Sequence, residues 1–311
     1  LLVQALSNLG ASYYQQKQYD QALECYQYQL KIIQTLDDAN GEAKLQNNLG
    51  NVYFAKGDFK GAAQAYQSWL IRARNLGERA GEGRALSNIG NVYHAEGESE
   101  KAIECYVQDL EIAREIGDRR GEAYVLGNLA TAYASLQAFA HAKVYSEQHL
   151  TLVRELGDRP HEQTALTHLG NIYALSQMRL FAIHCFQAAL SIAETLEDYE
   201  NQADLHDKLA YLYLQQRHWD RSIIHYQKVL ATAQLAQAID CFQQVVRIRR
   251  QLGDLSGVAK GWVILGKTLK QNGQIEHSLN AFQQAHKIFE TIGDVDLVAR
   301  CDAVLQSFES E

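Results

Sequence analysis

The chain holds one proline, Pro160, against 21 glycines in 311 residues. So little proline excludes collagen-like and polyproline architectures and leaves no proline-rich linker to separate globular units. Disorder is excluded as well, because 47% of residues are hydrophobic and only 21% charged, with the apolar residues spread throughout. No apolar run approaches the roughly 18 residues that span a bilayer, and Leu1-Leu2-Val3-Gln4-Ala5-Leu6 lacks the basic head of a signal peptide, so the sequence reads as cytoplasmic with no membrane partner. There is a single methionine, Met178, which makes Leu1 an unnatural start and points to a piece of a longer protein. The five cysteines form no C-x-x-C pair, and their odd number argues against a disulfide framework. Lysines and arginines are outnumbered, 29 to 37, and scattered, so no basic stripe exists to attract nucleic acid.

What the chain has in abundance is repetition. Leu9-Gly10, Leu49-Gly50, Ile89-Gly90, Leu129-Ala130, Leu169-Gly170 and Leu209-Ala210 fall 40 residues apart. Within one unit Leu45, Asn48, Leu49, Val52 and Tyr53 recur at helical spacing, which predicts a first helix, A, over about residues 42 to 55. Gly57-Asp58 breaks it, and Phe59, Ala62, Ala63, Tyr66, Leu70 and Ala73 carry a second helix, B, to Gly77. A glycine inside helix A costs about 1 kcal/mol against alanine, so its return in unit after unit requires close helix contact. Small residues at Ala22, Ala62, Ala102, Ala142, Ala182, Ser222, Ala238 and Ser278 mark where helix B receives helix A. The stripe Tyr13, Tyr53, Tyr93, Tyr133, Tyr173 and Tyr213 reads as core packing, and Cys25, Cys105 and Cys185, spaced by 80, as one shared packing environment.

Asn48-Leu49-Gly50-Asn51-Val52-Tyr53, then Gly57-Asp58-Phe59, then Ala62 and Tyr66, resembles the tetratricopeptide repeat, and the resemblance recurs along the whole chain. Its 40-residue unit is longer than the usual one of about 34, and is similar to the lengthened repeats of Pins/LGN-type adaptors and bacterial arrays. The resemblance implies an all-α, right-handed α-solenoid superhelix of stacked antiparallel helical hairpins. It forms a single array over 1–311, with units at about 1–40, 41–80, 81–120, 121–160, 161–200 and 201–234, a partial unit at 235–256 that is helix B only, a unit at 257–294, and a capping helix at 295–308. From Leu209-Ala210 to Leu265-Gly266 is 56 residues where two periods need 80, so 24 are absent. A segment missing between Gln234 and Leu235 explains this, and a single long helix from Trp219 to Leu252 is the alternative.

Gly261-Trp262-Val263-Ile264-Leu265-Gly266-Lys267-Thr268 satisfies the phosphate-loop string, but its variable positions are bulky and apolar and no strand precedes it, which argues against nucleotide binding. His161 and His168 offer only two possible ligands on one face, so no metal site is expected. No nucleophile elbow occurs, and the sequence is read as non-catalytic with no cofactor. By the resemblance, helix A lines a concave groove that takes an extended peptide or helical segment of another protein. The groove positions are Lys44, Asn47, Asn51 and Phe54, then Arg84, Ser87, Asn91 and His94, then Tyr124, Thr131, Thr167 and Asn171. Asparagine amides grip a peptide backbone whatever its side chains, and Lys44 and Arg84 favour acidic residues on the ligand. Asn47 and Asn88 stand where modules that clamp chaperone tails carry Lys and Arg. Two other readings are a peptide-responsive sensor that controls an attached domain, and a spacer that self-associates through its convex helices.

Overall fold

The computed structural model describes residues 1–36, 38–232, 235–271 and 273–309. Helices α1 to α16 account for nearly all of them, with no strand among the described residues. Two compact units divide the chain, Leu1–Asp158 and Arg159–Glu311. The first unit holds α1 (Leu2–Gln15), α2 (Tyr19–Leu36), α3 (Ala39–Lys56), α4 (Phe59–Leu76), α5 (Arg79–Ala95), α6 (Ser99–Ile116), α7 (Arg119–Ser135) and α8 (Phe139–Glu155). The second holds α9 (Arg159–Leu175), α10 (Arg179–Thr195), α11 (Tyr199–Gln215), α12 (Trp219–Thr232), α13 (Leu235–Gln251), α14 (Leu255–Gln271), α15 (Ile275–Ile292) and α16 (Val295–Glu309). Odd-numbered helices α1 to α11 are the A helices of the repeat and even-numbered α2 to α12 the B helices. The missing segment or long helix considered at Gln234 falls outside the described residues, but α12, α13 and α14 contribute Tyr226, Val229, Phe242, Val246, Val258 and Leu265 to one buried cluster.

The local sequence sets each boundary. Asp38, Asp58 and Asp118 accept a hydrogen bond from the backbone N–H three residues on, each at 2.9 Å, and Asp254 does the same for Gly257 at 2.7 Å. Such caps satisfy donors that the first helical turn leaves open. Helix ends share a left-handed residue, glycine at Gly57 (φ 82°) and Gly77 (φ 69°), but glutamine at Gln137 (φ 58°) and Gln177 (φ 62°).

The repeat glycine owes its presence to an aromatic ring sixteen residues later. A Cβ on Gly50 would stand 2.4 Å from the Tyr66 ring, on Gly90 2.6 Å from Tyr106, and on Gly170 2.5 Å from Phe186. The expected close contact of helices A and B is therefore a ring pressed against a bare backbone. The small residues of helix B are fully enclosed beside it: Ala62, Ala102 and Ala182 are buried, and Ser222 and Ser278 donate to the carbonyls of Ala210 and Gly266 at 2.8 and 2.7 Å. Where helix A carries Ala130 in place of glycine, helix B carries Ser146 in place of the ring. Cys301 of α16 is buried with Ala285 and Phe289, so the last helix does close the final hairpin's core.

In the second unit a histidine pair sits in the core, with His206 Nδ1 2.9 Å from His225 Nδ1 and Tyr213 stacked on His225. One ring must be the donor and the other the acceptor. Burial pulls both imidazoles down to about 4, the Lys228 charge adding to the shift of His206, and His206 and Lys228 adding to that of His225. The unfolded chain takes up protons near 6.5 that the folded pair refuses, so stability is full above that value and is lost as pH falls toward 4.

Three stability measurements follow from these contacts. Gly90→Ala should lower the free energy of unfolding by about 1–3 kcal/mol in spite of alanine's better helix propensity, because the Tyr106 ring must move. Gln177→Gly should raise it by about 1 kcal/mol by relieving the left-handed backbone. The thermal midpoint of the wild type should fall further between pH 7 and pH 4.5 than that of a His206→Phe, His225→Phe double variant; equal falls would remove the histidine pair as the cause.

Candidate functional site

The first unit carries an open groove of about 1250 Å³. Its walls are the N-terminal halves of α3, α5 and α7, with Gln4 and Ser7 of α1 and Trp69 of α4 completing it. Lys44, Asn47, Arg84 and Tyr124, four of the residues expected to bind, converge there with Asn48 and Asn88. Lys44 and Arg84 are exposed, and Tyr124 offers a ring 53% accessible to solvent. Arg79 and Arg120 add positive charge, against Glu78 and Asp118. Arg79 is already tied to Glu82 at 2.6 Å and to Glu115, which leaves Lys44, Arg84 and Arg120 as the groove's cations without a carboxylate at ion-pair distance among the described residues.

Asn51 and Asn91 lie one helical turn deeper and serve the scaffold. The Tyr66 hydroxyl donates to Asn51 Oδ1 at 2.8 Å, and the Tyr106 hydroxyl donates to Asn91 Oδ1 at 2.7 Å. Burial raises both phenols well above the ordinary range, so they remain donors. Amide bonds then link successive A helices, Asn88 Nδ2 to Asn47 Oδ1 at 3.2 Å and Asn128 Nδ2 to Asn91 Oδ1 at 3.3 Å. His94 pairs with Ser135 at 3.1 Å, Phe54 meets Phe59 with ring centres 5.5 Å apart, and Thr131 donates to the Gly127 carbonyl at 3.0 Å. Thr167 and Asn171 belong to the second unit, where Thr167 donates to Gln163 O at 2.9 Å and Asn171 lines a separate hollow of about 560 Å³ with Lys208 and Tyr211. Phe186 stands opposite Asn171 in place of the tyrosine, so this amide receives no phenol.

Ser87 points elsewhere, into a small chamber of about 90 Å³ that shares Arg84, Asn88, Asp118 and Tyr124 with the groove as common walls. At its floor is Asp109 of α6, 8% exposed. Burial pushes this carboxyl up to about 6; the Ser87 hydroxyl and the Arg84 charge oppose the rise and Asp118 adds to it. Reading helix A alone as the lining misses Asp109 and Trp69, which come from helix B. The signal was a departure from the repeat, since one register of helix B holds Gln29, Trp69, Asp109, His149, Ala189 and Val229 in turn.

The phosphate-loop string lies wholly within α14, where Gly266 receives the Phe282 ring and Thr268 donates to Ile264 O at 3.1 Å. No group of three or more metal-binding side chains forms among the described residues. No helix among them is long and apolar enough to cross a membrane.

Antiparallel helical hairpins in series, most of them closed by a glycine against a ring, define an all-α repeat protein of the solenoid class. Tetratricopeptide-repeat family models match residues 1–70, 81–155 and 205–237. The chain belongs to the tetratricopeptide repeat family. Among solved structures it is similar to apo RapI, at 15% identity over 94% of this chain and all of that one (100%), with a TM-score of 0.64. A Rap protein complexed with Competence and Sporulation Factor aligns at 14% identity over 99% of this chain and 97% of that one, with a TM-score of 0.55. BtubC from P. vanneervenii aligns at 18% identity over 76% and 92%, with a TM-score of 0.51. At such identities the likeness is one of fold. No curated protein matches by sequence.

Asp109 yields a stability test. Its carboxyl is easier to ionise in the unfolded chain, near 3.8, than in the fold, near 6, so the ionised form opposes folding above pH 6 and the effect vanishes below 3.8. Asp109→Asn should therefore stabilise the protein by about 2 kcal/mol at pH 7, and the advantage should disappear by pH 3.5 in urea titrations.

Proposed function

We propose that this protein is a non-catalytic interaction scaffold that binds an extended peptide or helical segment of another protein in the groove of its first unit. The observation that carries this reading is the convergence of Lys44, Asn47, Arg84 and Tyr124, from three successive A helices, on one open groove of about 1250 Å³. The amides of Asn47 and Asn88 supply backbone-directed hydrogen bonds, the Tyr124 ring a flat apolar surface, and Lys44 and Arg84 attraction for acidic residues. Asn51 contributes by tying its A helix to helix B, and Asn91 by joining successive A helices. The single array over the whole chain, the cytoplasmic setting and the capacity to self-associate belong to this reading too. Four free cysteines among the described residues, Cys25, Cys105, Cys185 and Cys301, are in keeping with a reducing compartment.

A peptide-responsive sensor is the second reading, favoured by the likeness of fold to a Rap protein complexed with Competence and Sporulation Factor. It requires a change in compactness on peptide addition, which small-angle scattering would detect. A scaffold of fixed shape would show none.

Panning a displayed random-peptide library on the wild type and on a Lys44→Glu, Arg84→Glu variant tests the groove directly. Peptides enriched in Asp and Glu should emerge from the wild type and lose at least about tenfold in affinity on the variant. Retention at equal affinity would move the binding surface away from the groove.

A further inference from the structure

The 40-residue period makes each repeat a control for the others. In the register of Asp109 other B helices bury Gln29, Trp69 and His149, and in the facing register of Gly83 the A helices carry Ala43, Ala123, Gln163 and Ala203. Gly83 and Asp109 are thus the one glycine–carboxylate combination among these repeats, and the two departures depend on each other. A Cβ on Gly83 would stand 2.5 Å from Asp109 Oδ1 and 3.3 Å from Ile112 Cγ2, so the missing side chain is what opens the chamber.

The chamber has the form of a short shaft. Ile112, Ala113 and Ile116 give it apolar walls, its mouth opens on the peptide groove, and Asp109 with Ser87 closes its far end. No lysine, arginine or histidine of the described residues pairs with Asp109. Leaving a nine-tenths buried carboxylate without a cation is costly, and filling the shaft with an apolar or acidic side chain would keep or worsen that cost. A long side chain with an aliphatic stem and a cationic tip removes it, the stem lying on the isoleucines and the tip donating to the carboxylate. Arg84 at the mouth is exposed to solvent, so its repulsion of a second cation is screened by water and salt.

We propose that the chamber receives one basic side chain, lysine or arginine, of the peptide held in the groove, with Asp109 as its acceptor. The proposal rests on the groove reading above and deepens it: the ligand carries a basic anchor flanked by acidic residues that meet Lys44 and Arg84.

The test pans a displayed random-peptide library on the full chain and measures the selected peptides by calorimetry. Selected sequences should share a Lys or Arg at one fixed place, and affinity should fall about tenfold or more on Asp109→Asn, on Gly83→Ala, or when that basic residue is changed to Gln. The Gln peptide should bind wild type and Asp109→Asn alike, a result that a general loosening of the fold would not give. Peptides that lack a fixed basic residue, or that bind Asp109→Asn as well as wild type, would overturn the chamber and leave the groove standing. If no peptide is selected, or binding ignores Lys44→Glu and Arg84→Glu, the groove reading falls and the chamber with it.

Discussion

The contact on which most of the hairpins depend is an aromatic ring pressed against a glycine of the preceding helix. Gly50, Gly90, Gly170 and Gly266 give up helix propensity so that Tyr66, Tyr106, Phe186 and Phe282 can lie on bare backbone. The ring fixes the distance between helices A and B, and with it the registry of everything above: the buried leucines, the enclosed alanine or serine beside the glycine, and the amide on the next residue. In two hairpins the ring also has a hydroxyl that continues outward to Asn51 or Asn91. One side chain thus spans the hairpin from its core to the edge of the groove.

That arrangement explains why the fold was legible in the sequence and the site only partly so. A period of 40 and a helical apolar spacing establish helices A and B; the observed α3 extends the expected limits by only a few residues and α4 keeps within them. Turns were legible through Gly57 and Gly77, whereas the left-handed Gln137 and Gln177 carry no sequence mark of the conformation they adopt. Asparagines two residues from the tyrosine stripe looked like wholly free groove amides because a periodic reading treats each helix face alone, and their Oδ1 acceptors are in fact taken by phenols. The pairings of Asn51 with Tyr66 and Asn91 with Tyr106 are relations between helices fifteen residues apart in sequence, and only packing exposes them. Asp109 was hidden for the converse reason, since its register belongs to a helix face that the period assigns to the core.

The two units handle buried polarity differently. In the first, amides join neighbouring A helices and Asp109 stays buried beneath an open groove. In the second, His206 and His225 satisfy each other in the core, and Asn171 faces a hollow with Lys208 and Tyr211. The same repeat thus carries a buried carboxylate beside an open groove in one part of the chain and a pH-sensitive packing element in another. The difference rests on a few substitutions within the repeat, such as Asp109 where other B helices hold Gln29, Trp69, His149, Ala189 and Val229.

The left-handed turn residue recurs both inside and between hairpins, at Gly57, Gly97 and Gln137 and again at Gly77, Gly117 and Gly157. Both kinds of junction therefore present the same backbone geometry, and a recombination breakpoint placed between hairpins, at Gly77, Gly117 or Gly157, would join helix to helix without separating a glycine from its ring. Gene duplication or deletion can then change the number of hairpins while leaving each binding register intact. Array length and ligand chemistry become separately adjustable in evolution.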